Sequence, residues 1–432
     1  MISKRKLINA LFVLGFPFYG LGTYVSFKNN FSMGLMVSVM PWLAIITIYI
    51  IDVLYRKTLK NVVNSTYWLA IVFLLSLVAS MWVSYANNFP GLNLVNTLAY
   101  SVLFLVPINA SVIVNIYNKK NADYDIARMI LIGLSILIIV NFIGFFGGLR
   151  NLVHGFEGRI NLPFMRGIYD ASHLLSIINL MLLYYIRNFK ENPLKYILLC
   201  VFYIFNLIVM LDINSRLSLM IFIIFTVVFI SRMARNVKGL FTISLFTMPL
   251  MMSFSVLIYQ ILSLPFFQSI MQRVSEEDVT TFNGRTYIWT SMADWALDDR
   301  TGFLFGNGYH GQYQLRMLDF LAILWGADAR DSYNLHLHST FLEITMDQGI
   351  FGLILFYILM YRCYKFYRKR YRSNLKEGPI FAALVYLMFI WQIDIFCYGI
   401  DIGNPIFFCM LSIVAVRSGY LYQEGNKELK PA

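Results

Sequence analysis

The chain has 432 residues, of which 59% are hydrophobic and 13% are charged, and its formal net charge is +12. About 25% of the residues of an ordinary soluble domain are charged, so this composition excludes a soluble globular protein and predicts an all-α polytopic membrane protein. The basic residues lie between apolar segments rather than along one stripe, so we expect no nucleic-acid partner. The four cysteines have no paired spacing, which argues against a disulfide or a cysteine metal site.

About twelve segments reach the roughly 20 apolar residues that a membrane-spanning helix needs. They are 7–27, 31–55, 66–86, 94–117, 126–148, 171–187, 194–213, 216–231, 239–262, 340–362, 378–398 and 404–421. The connections rich in lysine and arginine are assigned to the cytoplasm by the positive-inside rule, and an even number of spans places both termini there. We therefore expect helices 1–9 in residues 1–262, a large outer loop at 263–339, and helices 10–12 with a cytoplasmic tail at 340–432.

The outer side differs from the cytoplasmic side in its choice of basic residue. Nine of its ten cations are arginine, whereas the other 25 of the 35 lysines and arginines lie on the cytoplasmic side. Topology does not require arginine, whose planar fork of donors matches phosphate or carboxylate better than lysine does. The pattern indicates either surface ion pairs or ligands for an anionic substrate. The nine are Arg150, Arg159, Arg166, Arg216, Arg273, Arg285, Arg300, Arg316 and Arg330.

The outer loop is too long to be a structureless connection. Asn283 is a plausible N-cap for the amphipathic segment GRTYIWTSMADWALD, and LFGNGYHG has the composition of a glycine turn. The loop therefore predicts a helix over 284–298, followed by a turn at 304–311.

The tenth span begins with LHLHSTFLEITMDQGIFG, residues 335–352. At 100° per residue, His338, Gly349 and Gly352 share one helix face, where the glycines allow a close neighbour. Glu343 and Asp347 lie on the opposite face, where pairing with outer arginines is favoured over catalysis. His338 is either a helix-start histidine bonded to a loop carbonyl or a general base.

Two kinds of catalysis find no support in the sequence. His336 and His338 lie two residues apart, but a metal site needs three or four ligands and no further histidine or cysteine lies at a useful spacing. There is also no GxSxG nucleophile motif. The prediction is therefore a site with no metal and no cofactor.

The pattern His338, Ser339, Gly349 and Gly352 resembles the histidine motif of the O-antigen ligase and Wzy O-antigen polymerase family. The chain also resembles this family in its twelve spans and in its one large outer loop before the histidine span. Arg285 is similar to the arginine of the family's loop helix, and Arg216 to the arginine at the head of the eighth span. One position departs from the family pattern: methionine, at 220, replaces the usual leucine four residues after Arg216.

The resemblance implies an integral-membrane glycosyltransferase of the bacterial inner membrane, with its active site on the periplasmic face. Its substrates would be an undecaprenyl-diphosphate-linked glycan donor and a sugar hydroxyl of a glycan or lipid-core acceptor, with membrane lipids around it. The enzyme would be a polymerase or a ligase of lipopolysaccharide or polysaccharide biosynthesis, and the residues do not separate the two. The implied site comprises His338 as the base, Arg216, Arg285, Arg159 and Arg166 as diphosphate ligands, and Gly349 and Gly352 as packing positions beside the donor.

Two other classes stay open on the sequence. A transporter or flippase of the lipid-linked glycan ordinarily has internal repeats and polar residues at mid-membrane, whereas here the polar residues gather at the outer end of the spans. A membrane acyltransferase with an intramembrane histidine would not explain the arginine bias.

Overall fold

The computed structural model describes residues 3–28, 31–56, 62–119, 121, 123–151, 159–188, 192–213, 215–237, 239–247, 285–324, 328, 335–399 and 403–417. Within these ranges the chain is all-α: they contain no β-strand, only an isolated bridge between Val63 and Val416. The helices, numbered in chain order, are α1 (Lys4–Lys28), α2 (Phe31–Arg56), α3 (Ser65–Ala86), α4 (Leu94–Asn118), α5 (Ile126–Phe146), α6 (Ile168–Asn188), α7 (Pro193–Ile213), α8 (Arg216–Ile230), α9 (Met233–Asn236), α10 (Leu240–Leu245), α11 (Arg285–Asp298), α12 (Arg300–Phe305), α13 (Gly311–Gln314), α14 (Asp319–Leu324), α15 (Thr340–Arg372), α16 (Gly378–Ile393) and α17 (Asn404–Val414).

Seven of these helices are long and apolar enough to cross a bilayer: α1 to α5, α7 and α15. The predicted class, an all-α polytopic membrane protein, is therefore confirmed, although the predicted count of twelve spans is not. Helices α8, α16 and α17 are apolar but short. At 1.5 Å per residue, α16 is roughly 24 Å long, against about 30 Å for the hydrocarbon core. Only the first residues of the ninth predicted span, 239–262, are among the described residues.

The span predicted at 404–421 ends as a helix at Val414. Two other predicted boundaries were wrong for a local reason. The span predicted at 378–398 ends at Ile393, because Asp394 adopts extended backbone angles and its carboxylate accepts a hydrogen bond from the Ile395 N–H. The span predicted at 340–362 continues to Arg372, and the last turn of α15 contains three basic residues. Basic residues stabilise the negative end of the helix dipole.

Small residues allow the first two helices to pack closely. A Cβ atom at Gly22 would lie 2.4 Å from the backbone nitrogen of Ser38, and one at Gly34 would lie 2.2 Å from the backbone nitrogen of Ser26. Such contacts between backbones are typical of helix pairs in membranes. The indole N–H of Trp42 also donates to the Phe12 carbonyl across this interface, at 3.1 Å.

The short helix α16 is an interior helix of the bundle. Every residue of α16 except Phe389 is buried, which agrees with its apolar sequence on all sides. Because α16 is shorter than a full span and is surrounded by protein, the residue that follows it, Asp394, is also buried. The architecture thus places a carboxylate inside the protein at the end of a central helix.

Helix α15 is broken at Gly349, which adopts φ 71° and ψ −176°, and it begins only at Thr340 after the N-cap Ser339. The predicted face shared by His338 and the two glycines is therefore wrong: His338 precedes the helix and Gly349 interrupts it. The predicted close neighbour does exist at Gly349. A Cβ atom there would lie 2.2 Å from the carbonyl oxygen of Leu304.

The predicted loop helix and glycine turn are both present. Helix α11 covers the predicted segment, although its proposed cap, Asn283, lies outside the described residues. Gly306 and Gly308 both have positive φ angles, of 83° and 92°. A Cβ atom at Gly306 would lie 2.3 Å from the carbonyl oxygen of Asp347. The turn therefore packs its backbone directly against the break in α15.

This contact predicts that Gly349→Ala destabilises the protein more than an ordinary glycine replacement. The control is Gly91→Ala, because Gly91 also has a positive φ, of 80°, but nothing lies within 4 Å of its added Cβ. The control substitution should lower the free energy of unfolding by about 1 kcal/mol, because of the backbone angle alone. Gly349→Ala should lower it by roughly 3 kcal/mol, since only glycine ordinarily adopts these angles and the added Cβ atom would collide with the backbone of the glycine turn.

The measurement is the apparent melting temperature of each purified variant in the same detergent. Equal shifts for the two variants would show that the glycine turn does not pack on α15 as described.

Candidate active site

Asp394 is the centre of a buried polar cluster at the end of α16. Its Oδ2 lies 3.2 Å from His173 Nε2 and 3.8 Å from a guanidinium nitrogen of Arg285, and its Oδ1 lies 3.8 Å from His338 Nδ1. The carboxylate is 5% exposed. Three potential cations from three parts of the chain therefore share one buried anion.

These neighbours keep Asp394 ionised. Burial raises the pKa of a carboxyl, but the interactions with His173, His338 and Arg285 oppose it and hold the pKa of Asp394 well below its usual range. A buried charge is tolerated only when it is paired. The cluster is therefore an electrostatic unit, in which loss of Asp394 would leave the buried charge of Arg285 without its partner.

The start of α15 is fastened to the end of α16, and this contact places His338 beside Asp394. The backbone N–H and the hydroxyl of Thr340 both donate to the Asp394 carbonyl, at 3.1 and 3.0 Å. The Ser339 hydroxyl donates to the Trp391 carbonyl at 3.2 Å. Serine and threonine at a helix start thus satisfy the last carbonyls of a neighbouring helix, which would otherwise be unpaired.

His338 is positioned by backbone strain as well as by hydrogen bonds. Its φ angle is 49°, which is rare for a residue other than glycine, and its side chain is 26% exposed. Burial lowers the pKa of His338 below its usual value, and the neighbouring Asp394 opposes that shift. The imidazole is therefore mostly neutral near pH 7, the form that a general base requires.

His173 connects Asp394 to the start of α8. Its ring is fully buried, with Nδ1 at 2.9 Å from the Tyr386 hydroxyl and 3.1 Å from the Ser218 hydroxyl. Ser218 in turn lies 3.0 Å from the hydroxyl of Ser215. These contacts bring the head of α8, which begins at Arg216, to the cluster; the side chain of Arg216 lies outside the described part of the chain.

Arg285 reaches the same cluster from the outer loop. It is the first residue of α11, is buried, and donates to the Ile393 carbonyl at 2.6 Å. The indole N–H of Trp289, one turn further, donates to the Leu337 carbonyl at 3.1 Å. Helix α11 therefore packs against the segment that carries His338. A guanidinium has five N–H donors, more than the contacts to Ile393 and Asp394 use.

A second polar group, called here the loop cluster, consists of His310, Gln312, His336 and Glu343. His310 Nδ1 lies 3.3 Å from Glu343 Oε1, and the Gln312 amide nitrogen lies 3.1 Å from the first atom and 3.0 Å from the second. The rings of His310 and His336 are 5.2 Å apart. Burial lowers the pKa of His310 to about 3, with a smaller effect of the same sign from Arg166.

The expected arginine partners of the two carboxylates of α15 are not found among the described residues, which exclude Arg273, Arg330 and the side chain of Arg216. Glu343 contacts His310, Gln312 and the Leu337 N–H. Asp347 accepts hydrogen bonds from the His310 N–H and the Tyr398 hydroxyl, at 2.9 and 2.8 Å. Within the described ranges, neither carboxylate forms an ion pair with an arginine. They do anchor the helix to the loop, but through neutral groups, because a buried carboxylate is satisfied by several N–H and O–H donors.

Of the other predicted site residues, Arg166 is associated with a cluster, whereas no contact places Arg159 or Gly352 in either one. The charge of Arg166 acts on His310 and His336 of the loop cluster, so the structure associates Arg166 with that cluster. Arg159 is half-buried on the same connection, where its carbonyl accepts from the Asn161 amide. Gly352 is close only to Gln348 of its own helix, at 2.4 Å for an added Cβ.

The sequence analysis missed His173, Asp394, His310 and Gln312 as site residues. Two of them carried a usable signal: Asp394 and His173 lie inside predicted apolar spans, where an ionisable residue is expensive and marks a functional position. His310 and Gln312 lie in the loop, and only the fold brings them to Glu343.

Comparison with known proteins supports the resemblance drawn from the motif. Residues 199–357 match the family model described as O-antigen ligase. No curated protein sequence matches the chain significantly. The matched region begins within α7 and contains Arg216, Arg285, both histidines of the loop end and the two glycines of α15. Over residues 199–357 the chain is thus similar to the O-antigen ligase family.

Proposed function

We propose that this protein is a membrane glycosyltransferase that moves a glycan from a polyprenyl diphosphate, such as undecaprenyl diphosphate, to a sugar hydroxyl. The acceptor is a growing glycan if the enzyme is a polymerase, and a lipid core if it is a ligase. The observation that carries the proposal is the Asp394 cluster: a partly exposed neutral histidine and a buried arginine held by one carboxylate. The histidine and the arginine both lie within the residues that match the O-antigen ligase family model.

In the proposed reaction, His338 removes the proton of the acceptor hydroxyl. Because Nδ1 of His338 faces Asp394, the favoured neutral tautomer carries its proton on Nδ1, which leaves Nε2 to accept a proton. The acceptor oxygen forms a bond to the anomeric carbon while the bond from that carbon to the diphosphate oxygen breaks. The electron pair leaves with the diphosphate, and the configuration at the anomeric carbon inverts.

The leaving diphosphate gains negative charge, which fixed cations stabilise. Arg285 is the first candidate ligand, because its charge is already held at the cluster and its contacts with described residues use only part of its fork of donors. Arg216 is the second, since it heads the helix that His173 and Ser218 fasten to the cluster. Arg166, whose charge acts on the loop cluster, and Arg159, on the same connection, would bind later parts of the donor or acceptor. None of these steps requires a metal or a cofactor.

The location follows from the same chemistry. A lipid-linked donor fits a site at the helix ends, where the diphosphate arrives from the bilayer and the acceptor from water. We place this site on the periplasmic face of the bacterial inner membrane, with both chain termini in the cytoplasm. Reporter fusions at residues 328 and 374 test the assignment: the first should report the periplasm and the second the cytoplasm, and the reverse would overturn it.

The function is tested by a transfer assay with purified protein, lipid-linked glycan and acceptor, with His338→Ala and His336→Ala compared. The transfer rate of His338→Ala should fall by ~10²–10⁴-fold, the usual effect of removing a general base. Its affinity for the donor should stay within a few-fold of that of the parent protein. His336→Ala should keep most of its activity, because its ring faces His310 in the loop cluster rather than Asp394.

The same assay tests the remaining parts of the mechanism. Magnesium added after EDTA should not raise the rate, and the new linkage should have the anomeric configuration opposite to the donor's. Transfer by His338→Ala close to the parent rate, or a greater loss in His336→Ala, would contradict the assignment of the base. Retention of configuration would contradict the single displacement.

Arg285→Lys should reduce transfer at least about tenfold, because lysine keeps the charge but loses the planar fork that binds a diphosphate. The matched control is Arg300→Lys on the neighbouring helix α12, where the side chain is exposed; it should have no effect. Donor binding and transfer are measured on both variants at equal expression. Full activity in Arg285→Lys would remove Arg285 from the diphosphate site.

A further inference from the structure

The loop cluster has the ligand set of a metal site. His310, His336 and Glu343 each offer one ligand atom, and these atoms all lie within 4.8 Å of one another. Two histidines and one glutamate form a common ligand set of zinc, which ordinarily takes three or four nitrogen, oxygen or sulfur ligands. The sequence predicted no metal here because it shows no third ligand near His336 and His338; the fold supplies it from His310 in the loop.

The distances match those on a tetrahedral ion. Ligand atoms about 2.1 Å from a tetrahedral zinc ion lie roughly 3.4 Å apart, and two coordinated imidazole rings have centroids roughly 5 Å apart. In the protein, His310 Nδ1 and Glu343 Oε1 are 3.3 Å apart, and the His310 and His336 rings are 5.2 Å apart. Small side-chain rotations would therefore bring the three atoms to one ion.

The ligands are also held from behind, as metal ligands usually are. Glu343 uses Oε2 to accept the Leu337 N–H, which leaves Oε1 facing His310. The backbone N–H of His310 is bound by Asp347. His336 Nδ1 is a buried nitrogen with no hydrogen-bond partner among the described residues, and leaving such an atom unsatisfied costs free energy.

We propose that His310, His336 and Glu343 form a binding site for a divalent transition-metal ion of the zinc class. The ion would join the outer loop to the first turn of α15 and hold the segment that leads to His338. It would displace the Gln312 amide, which now donates to Glu343. The site is separate from the Asp394 cluster, and the ion takes no part in the transfer reaction.

Arg166 gives the proposal a distinctive consequence. Its positive charge acts on both histidines and on Glu343, so it opposes a cation at this site. Replacing it with glutamine should tighten zinc binding by roughly threefold or more. If the loop cluster instead binds only an anion or a sugar, Arg166→Gln should not change the affinity of the protein for zinc.

The experiment measures zinc content of the full chain, purified without a polyhistidine tag, stripped with chelator, loaded with zinc and desalted. Wild-type protein should retain about one zinc ion per chain, the occupancy of a single site. His336→Ala and Glu343→Gln should retain at most about one fifth of that. His336→Ala is the decisive variant, because removing a nitrogen without a partner should not disturb folding. His338→Ala, a histidine two residues away outside the ligand set, should bind zinc like the wild type.

Equal zinc retention in His336→Ala and the wild type, or no retention in the wild type, would overturn the proposal. An equal loss in His338→Ala would also overturn it, since it would show binding without selectivity. The readout is metal content, so the result does not depend on whether the protein transfers glycans.

Discussion

The buried carboxylate of Asp394 is the constraint on which the site depends. An isolated ion in the protein interior is very unfavourable, so Asp394 can remain charged only where cations and donors surround it. His173 from α6, Arg285 from the outer loop and His338 from the head of α15 provide them. The same contacts that make the carboxylate tolerable thereby bring a base, an arginine and the head of α8 into one place. The contacts that stabilise the buried carboxylate are therefore the same contacts that assemble the proposed active site.

Asp394 occupies this position because α16 is short. A helix of full span length would have placed the residue at the membrane surface, where water would satisfy it. Instead α16 ends inside the bundle. There the hydroxyls of Thr340 and Ser339, at the start of α15, donate to the carbonyls of Asp394 and Trp391. The break in α15 at Gly349 has a similar effect on the loop, because it allows the glycine turn to pack on the helix. Non-helical backbone at such depth is tolerated in membrane proteins only where protein buries it.

The two clusters differ in their charge. The Asp394 cluster contains charged groups, among them Arg285, which would bind the negative charge that develops on the leaving diphosphate. The loop cluster contains neutral histidines around Glu343. The two clusters are joined by the segment from Leu335 to Ser339, in which His336 faces His310 and His338 faces Asp394. A regular extended segment would direct residues 336 and 338 to the same side. The positive φ angle of His338, 49°, breaks that regularity, and the two histidines lie in different clusters.

Much of the fold was predictable from the sequence, because apolar length alone defines membrane helices. The helix bounds of α1 to α5 and α7 agree with the predicted spans within a few residues. Arg285 and His338, which a motif and a helix start marked in the sequence, both lie beside Asp394. The predicted helix face shared by His338, Gly349 and Gly352 was wrong because it assumed one unbroken helix. Positive φ angles at His338 and Gly349 interrupt the helical backbone.

The remaining site residues depend on tertiary contacts that no local pattern encodes. Asp394 and Arg285 are 109 positions apart, and His173 lies still further away in sequence. Asp394 was hidden by treating 378–398 as a plain span, although a lone carboxylate there was itself a signal. The partners of Glu343 could not be predicted, because a buried carboxylate accepts equally from arginine, histidine, glutamine or backbone N–H groups.

The central claim is that Asp394 orients and tunes His338, and the pH dependence of transfer by Asp394→Asn tests it most directly. Burial lowers the pKa of His338, and Asp394 opposes that shift, so transfer by the wild type should fall only as pH drops below the usual histidine range. In Asp394→Asn the opposing interaction is lost. The acid limb should therefore move to lower pH, while the plateau rate falls by roughly tenfold or more from lost orientation. An acid limb that stays in place or moves to higher pH would contradict the account.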